Sequence, residues 1–350
     1  MQLGIGVIGV GVRGQHSYEL ALARHPACTL RAVSQYPDVS PAMLEGKDLV
    51  GHARQYARQH GAIYCDDCHD VLERDDVHVV SLMCEPRCAP ALVEACCRAG
   101  KHIVRDKPMA LDLAGADRIV NAVDRSGVKM LVTLKTRFAP NLRLTRQRVR
   151  DGAVGRVLTA AFTYLQAGGP LEGFTATQAY LDSVGGGEVT NFGHYAIDYL
   201  LWTLAEPVET VYAQSASAFY GDYRSVGMED LGHVTLRFAD GVVATMITGR
   251  TTTQSKPASY FRVDITGTAG AIACHGPESC AVLTNAASQP IGSSPPPVEA
   301  MVQAFVQAVA ANEPSPIDAR DGRRVLEVLQ AAYTSATEGR EVSMGAGASS

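Results

Sequence analysis

The sequence predicts an α/β protein with an N-terminal, doubly wound parallel sheet and a C-terminal α/β domain that has an open, mostly antiparallel sheet. Up to about residue 134, apolar strand-like runs alternate with amphipathic helical segments, as in parallel sheets covered by helices. After residue 135, short runs that alternate apolar and polar side chains dominate, as in antiparallel sheets with one uncovered face.

The N-terminal elements follow from periodicity and turn chemistry. Pro26 ends the first helix, Pro90 suits a helical first turn and Gly100 its end, and Asp112 is the expected N-cap of a later helix. The predicted elements are strand Leu3–Ile8, helix Gln15–Arg24, strand Thr29–Ser34, strand Val77–Met83, a helix over 90–99, strand His102–Arg105, helix Asp112–Ser126 and strand Val128–Leu134.

The C-terminal part begins with a basic amphipathic helix, Pro140–Arg150. Asp240-Gly241 lies between two strand-like runs and predicts a hairpin. The predicted strands are Val157–Gln166, Val208–Ala218, Gly232–Phe238, Val242–Thr248 and Phe261–Thr266, and the closing helices are Val298–Ala311 and Arg323–Thr337. The expected organisation is therefore a first domain over 1–134, a second over 135–342 and a flexible tail over 343–350.

Composition narrows the class of protein. The 350 residues carry a net charge of −5, which gives no electrostatic reason to expect a nucleic acid partner. No apolar run approaches a membrane-spanning length, and glycines break the first apolar run too often for a signal peptide, so a cytoplasmic location is expected. Nine cysteines argue against a disulfide framework. Cys65 and Cys68, with His69 alongside, lack a second pair at zinc-site spacing, so no metal is expected.

A glycine-rich turn joins the first strand to the first helix. In the G-x-G-x-x-G pattern the first glycine permits the tight turn, the second lets the backbone approach a pyrophosphate, and the third allows close helix–strand packing. The helix N-terminus then offers N–H groups to the anion. We predict a dinucleotide site of the Rossmann type, formed here by Gly9, Gly11, Val12, Arg13 and Gly14.

The end of the second strand decides between NAD and NADP in such sites, because an acidic residue there binds the ribose hydroxyls. Here the position holds Gln35, followed by Tyr36. Glutamine neither repels a 2′-phosphate as a carboxylate would nor attracts it as arginine would. The sequence leaves the choice of nicotinamide open.

The run Ala99–Ala110 resembles the "A-G-K-H-V-x-x-E-K-P-x-A" signature of the glucose–fructose oxidoreductase/inositol dehydrogenase (Gfo/Idh/MocA) family. The similarity covers nearly the whole chain and includes 137–140, 152–157, 185–187, 267–270 and 324–328. It implies NAD(P)-dependent oxidation or reduction of secondary alcohols on sugars or polyols, a small-molecule substrate rather than a nucleic acid or membrane partner, and a homo-oligomer, dimer or tetramer, formed through the open sheet.

The resemblance also implies roles for residues of the first domain. Lys107 matches the lysine that lies between nicotinamide and substrate hydroxyl in the family, and Asp106 replaces the usual glutamate. An ammonium there favours a developing alkoxide. Further cofactor contacts are expected from Cys84, Glu85 and Pro86 after strand Val77–Met83 and from Lys135 after strand Val128–Leu134.

The second family motif, G-G-G-x-x-x-D-x-G-x-H-x-x-D, is altered in this chain. Asn191 stands at the aspartate position, Tyr195 at the histidine position, and His194 one place early, while Asp198 is retained. Residues at i, i+3, i+4 and i+7 share one helical face, so all four side chains could point to one cleft. Phe192, Ala196, Tyr199, Leu200 and Leu204 would form the opposite, core-facing side.

Two assignments of the proton transfer remain. In the preferred one, Tyr195 transfers the proton with help from Lys107, since an ammonium favours phenolate, and Asn191 and Asp198 position substrate or neighbouring groups. In the competing one, His194 does so, with a free pKa near neutrality. The altered motif also admits a non-catalytic regulator that binds dinucleotide and sugar, or an NAD-dependent glycosidase.

Overall fold

The computed structural model describes residues 2–11, 17–167, 181–182, 184–251, 260–276, 279–283, 289–290 and 295–345. The chain forms two compact units, one of residues 1–133, 178–185 and 298–326 and the other of residues 134–177, 186–297 and 327–350. The first of the two closing helices therefore belongs to the N-terminal unit although it follows the second unit in sequence. The division at 134 and 342 stays a prediction.

A six-stranded parallel sheet forms the core of the first unit. Its strands are β1 (Leu3–Ile8), β2 (Cys28–Ser34), β3 (Ile63–Tyr64), β4 (Val79–Leu82), β5 (His102–Arg105) and β6 (Met130–Val132). They are ordered β3-β2-β1-β4-β5-β6 with parallel pairing throughout. The order reverses between β1 and β4, which is where dinucleotides bind in this topology. The predicted doubly wound sheet is confirmed.

Local chemistry sets the ends of the helices in this unit. The Asp112 carboxylate accepts a hydrogen bond from the Gly115 amide at 2.7 Å, which confirms the predicted N-cap. Gly127 ends the same helix in the left-handed region at φ 69°, a common end for helices. The helices are α1 (Ser17–Arg24), α2 (Pro41–Leu44), α3 (Leu49–Gln59), α4 (Cys68–Leu72), α5 (Ala89–Arg98) and α6 (Leu113–Ser126).

A nine-stranded mixed sheet forms the second unit. Its strands are β7 (Val157–Ala167), β8 (Val208–Ala216), β9 (Leu231–Phe238), β10 (Val243–Thr251), β11 (Tyr260–Gly267), β12 (Ala271–His275), β13 (Ser279–Leu283), β14 (Gln289–Pro290) and β15 (Val342–Ser343). They are ordered β14-β13-β12-β11-β7-β10-β9-β8-β15, and among the described strands of this sheet only β7 and β10 pair in parallel. Gly241, at φ 86°, turns the predicted β9–β10 hairpin. The expected mostly antiparallel sheet is confirmed.

One long helix covers the inner face of this sheet. Its apolar side packs on β7, with Phe192 4.8 Å from Tyr164 and Tyr199 5.7 Å from Phe162 between ring centroids. The predicted core-facing side of this helix is thus confirmed for both rings. After a 3₁₀ turn, Lys135–Phe138, the remaining helices are α7 (Pro140–Arg150), α8 (Glu188–Leu204, the long helix), α9 (Gly221–Ser225), α10 (Pro297–Ala311) and α11 (Ala319–Glu338).

Several boundaries differ from the prediction. Strands β4 and β6 are shorter than Val77–Met83 and Val128–Leu134. At the start of the predicted tail, Ser343 pairs with Thr210 of β8 and the Met344 amide donates to the Glu209 carbonyl. Elements β3, β12 to β15, α2 to α4 and α9 were not predicted. The predicted helical residues 15–16 and the tail residues 346–350 lie outside the described residues. Across the described part, no helix has the length and apolarity needed to cross a membrane.

Candidate active site

The glycine turn after β1 lies close against the end of β4. Gly9 has φ 100° and Gly11 φ 80°, both in the left-handed region that favours glycine. A side chain at Gly9 would place its Cβ 2.5 Å from the carbonyl oxygen of Met83. The turn therefore tolerates no larger residue at its first glycine. The predicted contacts Val12, Arg13 and Gly14 lie outside the described residues.

Gln35 follows β2 and turns its amide toward this loop. Its Nε2 donates to the carbonyl oxygens of Val10 at 2.7 Å and Leu49 at 2.8 Å. Because carbonyls only accept, these contacts fix the orientation of the amide. Its Oε1 is buried and has no hydrogen-bond partner among the described residues. The side chain thus keeps one acceptor, and no donor, for a further group.

Glu85 forms a buried polar cluster at the same edge of the sheet. Its carboxylate accepts from the Tyr36 hydroxyl and the Ser40 amide, each at 2.9 Å, and lies 3.2 Å from the Arg87 guanidinium. Burial and this carboxylate together raise the pKa of Tyr36 far above its ordinary range. Cys84, Glu85 and Pro86 are all buried. Tyr36 and Glu85 are therefore hydrogen-bonded to each other, an arrangement that the sequence did not indicate.

Lys107 lies in a rigidly held turn after β5. The residue is only 3% exposed, so it is not a solvated surface lysine. Its backbone amide donates to Asp106 Oδ1 at 2.8 Å, and the Thr133 hydroxyl donates to the same oxygen at 2.6 Å. Asp106 thus acts on the backbone of Lys107 and ties the turn to the end of β6.

Two further ionisable residues in this unit are buried, although the sequence did not predict it. Arg105 is fully buried, and its Nη2 donates to the carbonyl oxygen of Pro108 at 3.0 Å, beside the lysine. Glu19 of α1 is 2% exposed, and burial is the largest cause that raises its pKa to about 8, with a smaller contribution from Asp106. A charged residue inside an apolar strand was the available signal for Arg105, whereas Glu19 looks like an ordinary first-turn acid.

The altered motif lies on α8 in the second unit. Tyr195 is 7% exposed, and the Lys135 ammonium lies 5.6 Å from the centroid of its ring. His194 is 2% exposed, and its Nδ1 lies 2.5 Å from the carbonyl oxygen of Thr190 one turn earlier. Lys135, predicted as a cofactor contact, thus lies beside the predicted proton-transferring tyrosine.

Asp198 is engaged by an arginine of the 3₁₀ turn. Arg137 approaches it with Nη2 to Oδ1 at 2.6 Å, Nε to Oδ2 at 2.9 Å and Nε to Oδ1 at 3.1 Å. The Arg137 side chain is 9% exposed and that of Asp198 0%. Asp198 therefore links α8 to the 3₁₀ turn through a buried ion pair.

Asn191 is hydrogen-bonded to a buried carboxylate that was not predicted from the sequence. Its Nδ2 donates to Glu188 Oε2 at 3.1 Å, and Arg250 Nε lies 3.1 Å from Glu188 Oε1. The only earlier signal was the position of Glu188 directly after the glycine triplet.

One group of potential metal ligands occurs in the described ranges: Asp67, Cys68 and His69, whose ligand atoms lie within 4.8 Å of one another. The Asp67 carboxylate already accepts from the His69 amide at 2.8 Å as the cap of α4. Burial raises the pKa of Cys68 to about 11, which disfavours the thiolate that binds metals.

Two family models match most of the chain. Residues 3–134 match the oxidoreductase family with an NAD-binding Rossmann fold, and residues 142–273 match the Gfo/Idh/MocA C-terminal domain. These segments carry the glycine turn and Lys107 in the first case and the altered α8 motif in the second.

Similar proteins match between 77% and 99% of this chain. A myo-inositol 2-dehydrogenase of Thermotoga maritima is 24% identical over 97% of this chain and 98% of that protein. A levoglucosan dehydrogenase of Pseudarthrobacter phenanthrenivorans is 24% identical over 77% of this chain and 73% of its own length. The solved structure of a levoglucosan dehydrogenase in complex with NADH and levoglucosan has the same fold, with a TM-score of 0.82 at 20% identity over 99% and 100% of the two chains. The protein therefore belongs to the Gfo/Idh/MocA family of NAD-binding oxidoreductases.

Proposed function

We propose that the protein is a dehydrogenase or reductase that transfers hydride between a nicotinamide and a secondary alcohol or ketone of a sugar or polyol. The observation that carries this proposal is the buried Lys107, whose backbone is held by Asp106 after β5. A buried ammonium stabilises the alkoxide that forms as the hydroxyl is oxidised. The nicotinamide, when bound, supplies the hydride acceptor or donor.

The residues of the first unit fit a dinucleotide. The glycine turn packs directly on the end of β4 at Gly9. The buried Oε1 of Gln35, which has no hydrogen-bond partner among the described residues, matches a ribose hydroxyl, which can donate to it. The same acceptor disfavours a 2′-phosphate, because both amide donors of Gln35 are already engaged. We therefore favour NAD over NADP.

Fluorescence titration with NADH and NADPH tests this preference. We expect NADH to bind at least about tenfold more tightly, since an unpaired buried acceptor or a repelled phosphate is worth over 1 kcal/mol. Gln35→Arg should narrow the gap, and Gln55→Arg, an exposed change on α3, is the control. Tighter NADPH binding by the unmodified protein would contradict the preference.

Tyr195 is the proposed proton-transferring residue, with Lys107 assisting. The Lys135 ammonium near its ring favours negative charge on the phenol oxygen. His194 is ranked second, since its Nδ1 already lies on the Thr190 carbonyl, an arrangement typical of a structural histidine. Asn191 and Asp198 would position substrate and neighbouring groups.

The activity test uses a panel of polyols and ketosugars with both nicotinamides, followed by the absorbance of the reduced cofactor. Lys107→Met and Tyr195→Phe should each lower turnover about 10²-fold or more while NADH binding is kept, and Lys47→Met, an exposed lysine change in the first unit, should not. His194→Ala, compared with Tyr195→Phe across pH, identifies the group whose loss removes a limb of the rate profile. Full turnover in Tyr195→Phe would refute the assignment.

Two other functions give different outcomes in the same assay. Release of a free sugar without net reduction of the nicotinamide would support an NAD-dependent glycosidase. Binding of dinucleotide and sugar with neither reaction would support a regulator. The aspartate and histidine missing from positions 191 and 195 motivate the regulator, and the buried Lys107 argues against it.

We also propose that the protein is a homo-oligomer, dimer or tetramer, formed through the outer face of the second sheet, and that it is cytoplasmic. Thr163, Thr245 and Ile247 are partly exposed on that face, while alternate residues such as Phe162 and Met246 are buried beneath it. Small and apolar side chains on an uncovered sheet face suit association. Thr245→Arg should shift the species seen by size-exclusion chromatography with light scattering toward monomer, and Gln55→Arg should not. If the unmodified protein is already a monomer in this measurement, the proposal is wrong.

A further inference from the structure

A fully buried carboxylate opens the helix that carries the altered motif. Glu188 is the first residue of α8 and is 0% exposed. It receives a hydrogen bond from the Tyr223 hydroxyl of α9 and pairs with Arg250 of β10 at 3.1 Å. Negative charge is favoured at a helix N-terminus, and the arginine offsets its burial. The carboxylate is therefore held in place from two neighbouring elements.

This carboxylate decides which way the Asn191 amide faces. The two atoms, Glu188 Oε2 and Asn191 Nδ2, lie 3.1 Å apart, and an ionised carboxylate only accepts. The nitrogen of Asn191 must face Glu188, and its Oδ1 must face away. The amide thus presents an acceptor oxygen on the side opposite to the carboxylate.

We propose that Glu188 is a positioning residue that holds the Asn191 amide with its Oδ1 directed away from the carboxylate. The family motif has a carboxylate at the position of Asn191, and in this chain the carboxylate stands three residues earlier, at Glu188. Residues at i and i+3 share a helical face, so the negative charge stays on the same side of α8. Asn191 keeps the acceptor oxygen that an aspartate would offer. The inference rests on the proposed function only in assigning that oxygen to the substrate.

The arrangement makes an unusual prediction for the motif. Restoring aspartate at 191 would place two carboxylates within hydrogen-bond distance, where at least one must be protonated or displaced. Asn191→Asp should therefore harm the protein instead of improving it. Besides Asn191, the titratable or charged groups near Glu188 are Arg250 from β10, Tyr223 from α9, Tyr164 from β7 and Glu229 from the segment before β9.

The first experiment is thermal unfolding at two pH values. Asn191→Asp should lower Tm by about 5 °C at pH 8. The paired carboxyls have a raised pKa in the folded state, so the loss is present above the unfolded pKa and shrinks as the pH falls toward 5.5. Asn191→Ala, which removes the amide without adding charge, is the control and should show no such pH dependence.

A reciprocal exchange separates charge repulsion from simple disruption. Glu188→Gln alone leaves Arg250 without its carboxylate, whereas Glu188→Gln combined with Asn191→Asp restores one carboxylate and one amide. The loss of unfolding free energy in the double variant should be smaller than the sum of the losses in the two single variants. Equal stability of Asn191→Asp and the parent at pH 8, or a double variant that is merely additive, would overturn the proposal.

Kinetics then test the positioning role. With a polyol that the parent oxidises, Asn191→Asp should lower kcat/KM by about tenfold or more, and the exchanged double variant should recover most of that loss. If the double variant recovers stability but not kcat/KM, Asn191 does not serve the substrate. If the parent has no dehydrogenase activity, the proposed function fails, while the unfolding data still decide whether Glu188 orients the amide.

Discussion

Asp198 offers the sharpest test of how the altered motif works, because the structure assigns it an ion pair with Arg137. Asp198→Asn keeps the size of the side chain and removes its charge, which leaves a guanidinium that is only 9% exposed without its carboxylate. Removing one partner of a buried pair costs about 3–5 kcal/mol. For a domain of 150–250 residues, the size range of the second unit, that corresponds to a fall in Tm of about 6–20 °C.

The assay is thermal unfolding followed by circular dichroism, with a matched exposed pair as control. Glu209 lies 3.3 Å from Arg237 in the same unit, and the two side chains are 46% and 51% exposed. Glu209→Gln should therefore cost at most about 1 kcal/mol, and Tm should fall by less than about 4 °C. Both variants remove one carboxylate charge, so net charge cancels from the comparison.

A double replacement distinguishes a lost partner from lost packing. Asp198→Leu with Arg137→Met removes both charges, and such apolar substitutions of buried pairs are often neutral or stabilising. It should recover much of the stability lost in Asp198→Asn. The reasoning would be refuted if Asp198→Asn lost no more stability than Glu209→Gln, or if the double replacement were worse than the single one.

Three further predictions concern the first unit. Gly9→Ala should weaken NADH binding, measured by calorimetry, more than about 10-fold, because the added Cβ would lie 2.5 Å from a carbonyl oxygen. Gly127→Ala, also at positive φ but with open space around it, should leave binding intact. Equal affinities of the two variants would contradict the close packing of Gly9 on β4. Glu19→Gln should raise the free energy of unfolding at pH 8.5 by on the order of 3–5 kcal/mol but leave it unchanged at pH 4.5. The Glu19 carboxyl has a pKa of about 8 in the folded protein, so it destabilises the protein as the pH rises from the unfolded pKa toward that value. Chemical denaturation at both pH values checks this, and a pH-independent difference would refute it. Thr133→Val should lower kcat more than Thr133→Ser, because only the serine keeps the hydroxyl bonded to Asp106; identical kcat values would show that this bond does not matter.

Much of the fold could be predicted because its signals are local. Strands β1 and β5 and helix α7 have the predicted bounds, and Asp112 caps the N-terminus of α6 as predicted. Proline, caps and side-chain periodicity act within a few residues, so they can be read without knowing what packs against them. Short elements such as β3 and β12–β14 were missed, since two to five residues carry too little periodicity to stand out.

The candidate residues were also found locally, as members of two motifs, but the sequence could not say what each side chain does. It identified Lys107, Asn191, Tyr195 and Asp198 by position. It gave no sign that Glu188 fixes the amide of Asn191, since exposed helices commonly start with a glutamate as well.

The sequence by itself determined the alternation of strands and helices, the glycine turn and the identity of the residues in the two motifs. Only the tertiary structure decided the mixed nine-stranded order, with β10 placed parallel beside β7, the pairing of Asp198 with Arg137 and the engagement of both Gln35 donors. Local conformation depends on neighbours within a turn or two of the chain, whereas a buried charge or amide takes its role from partners that folding brings from distant positions.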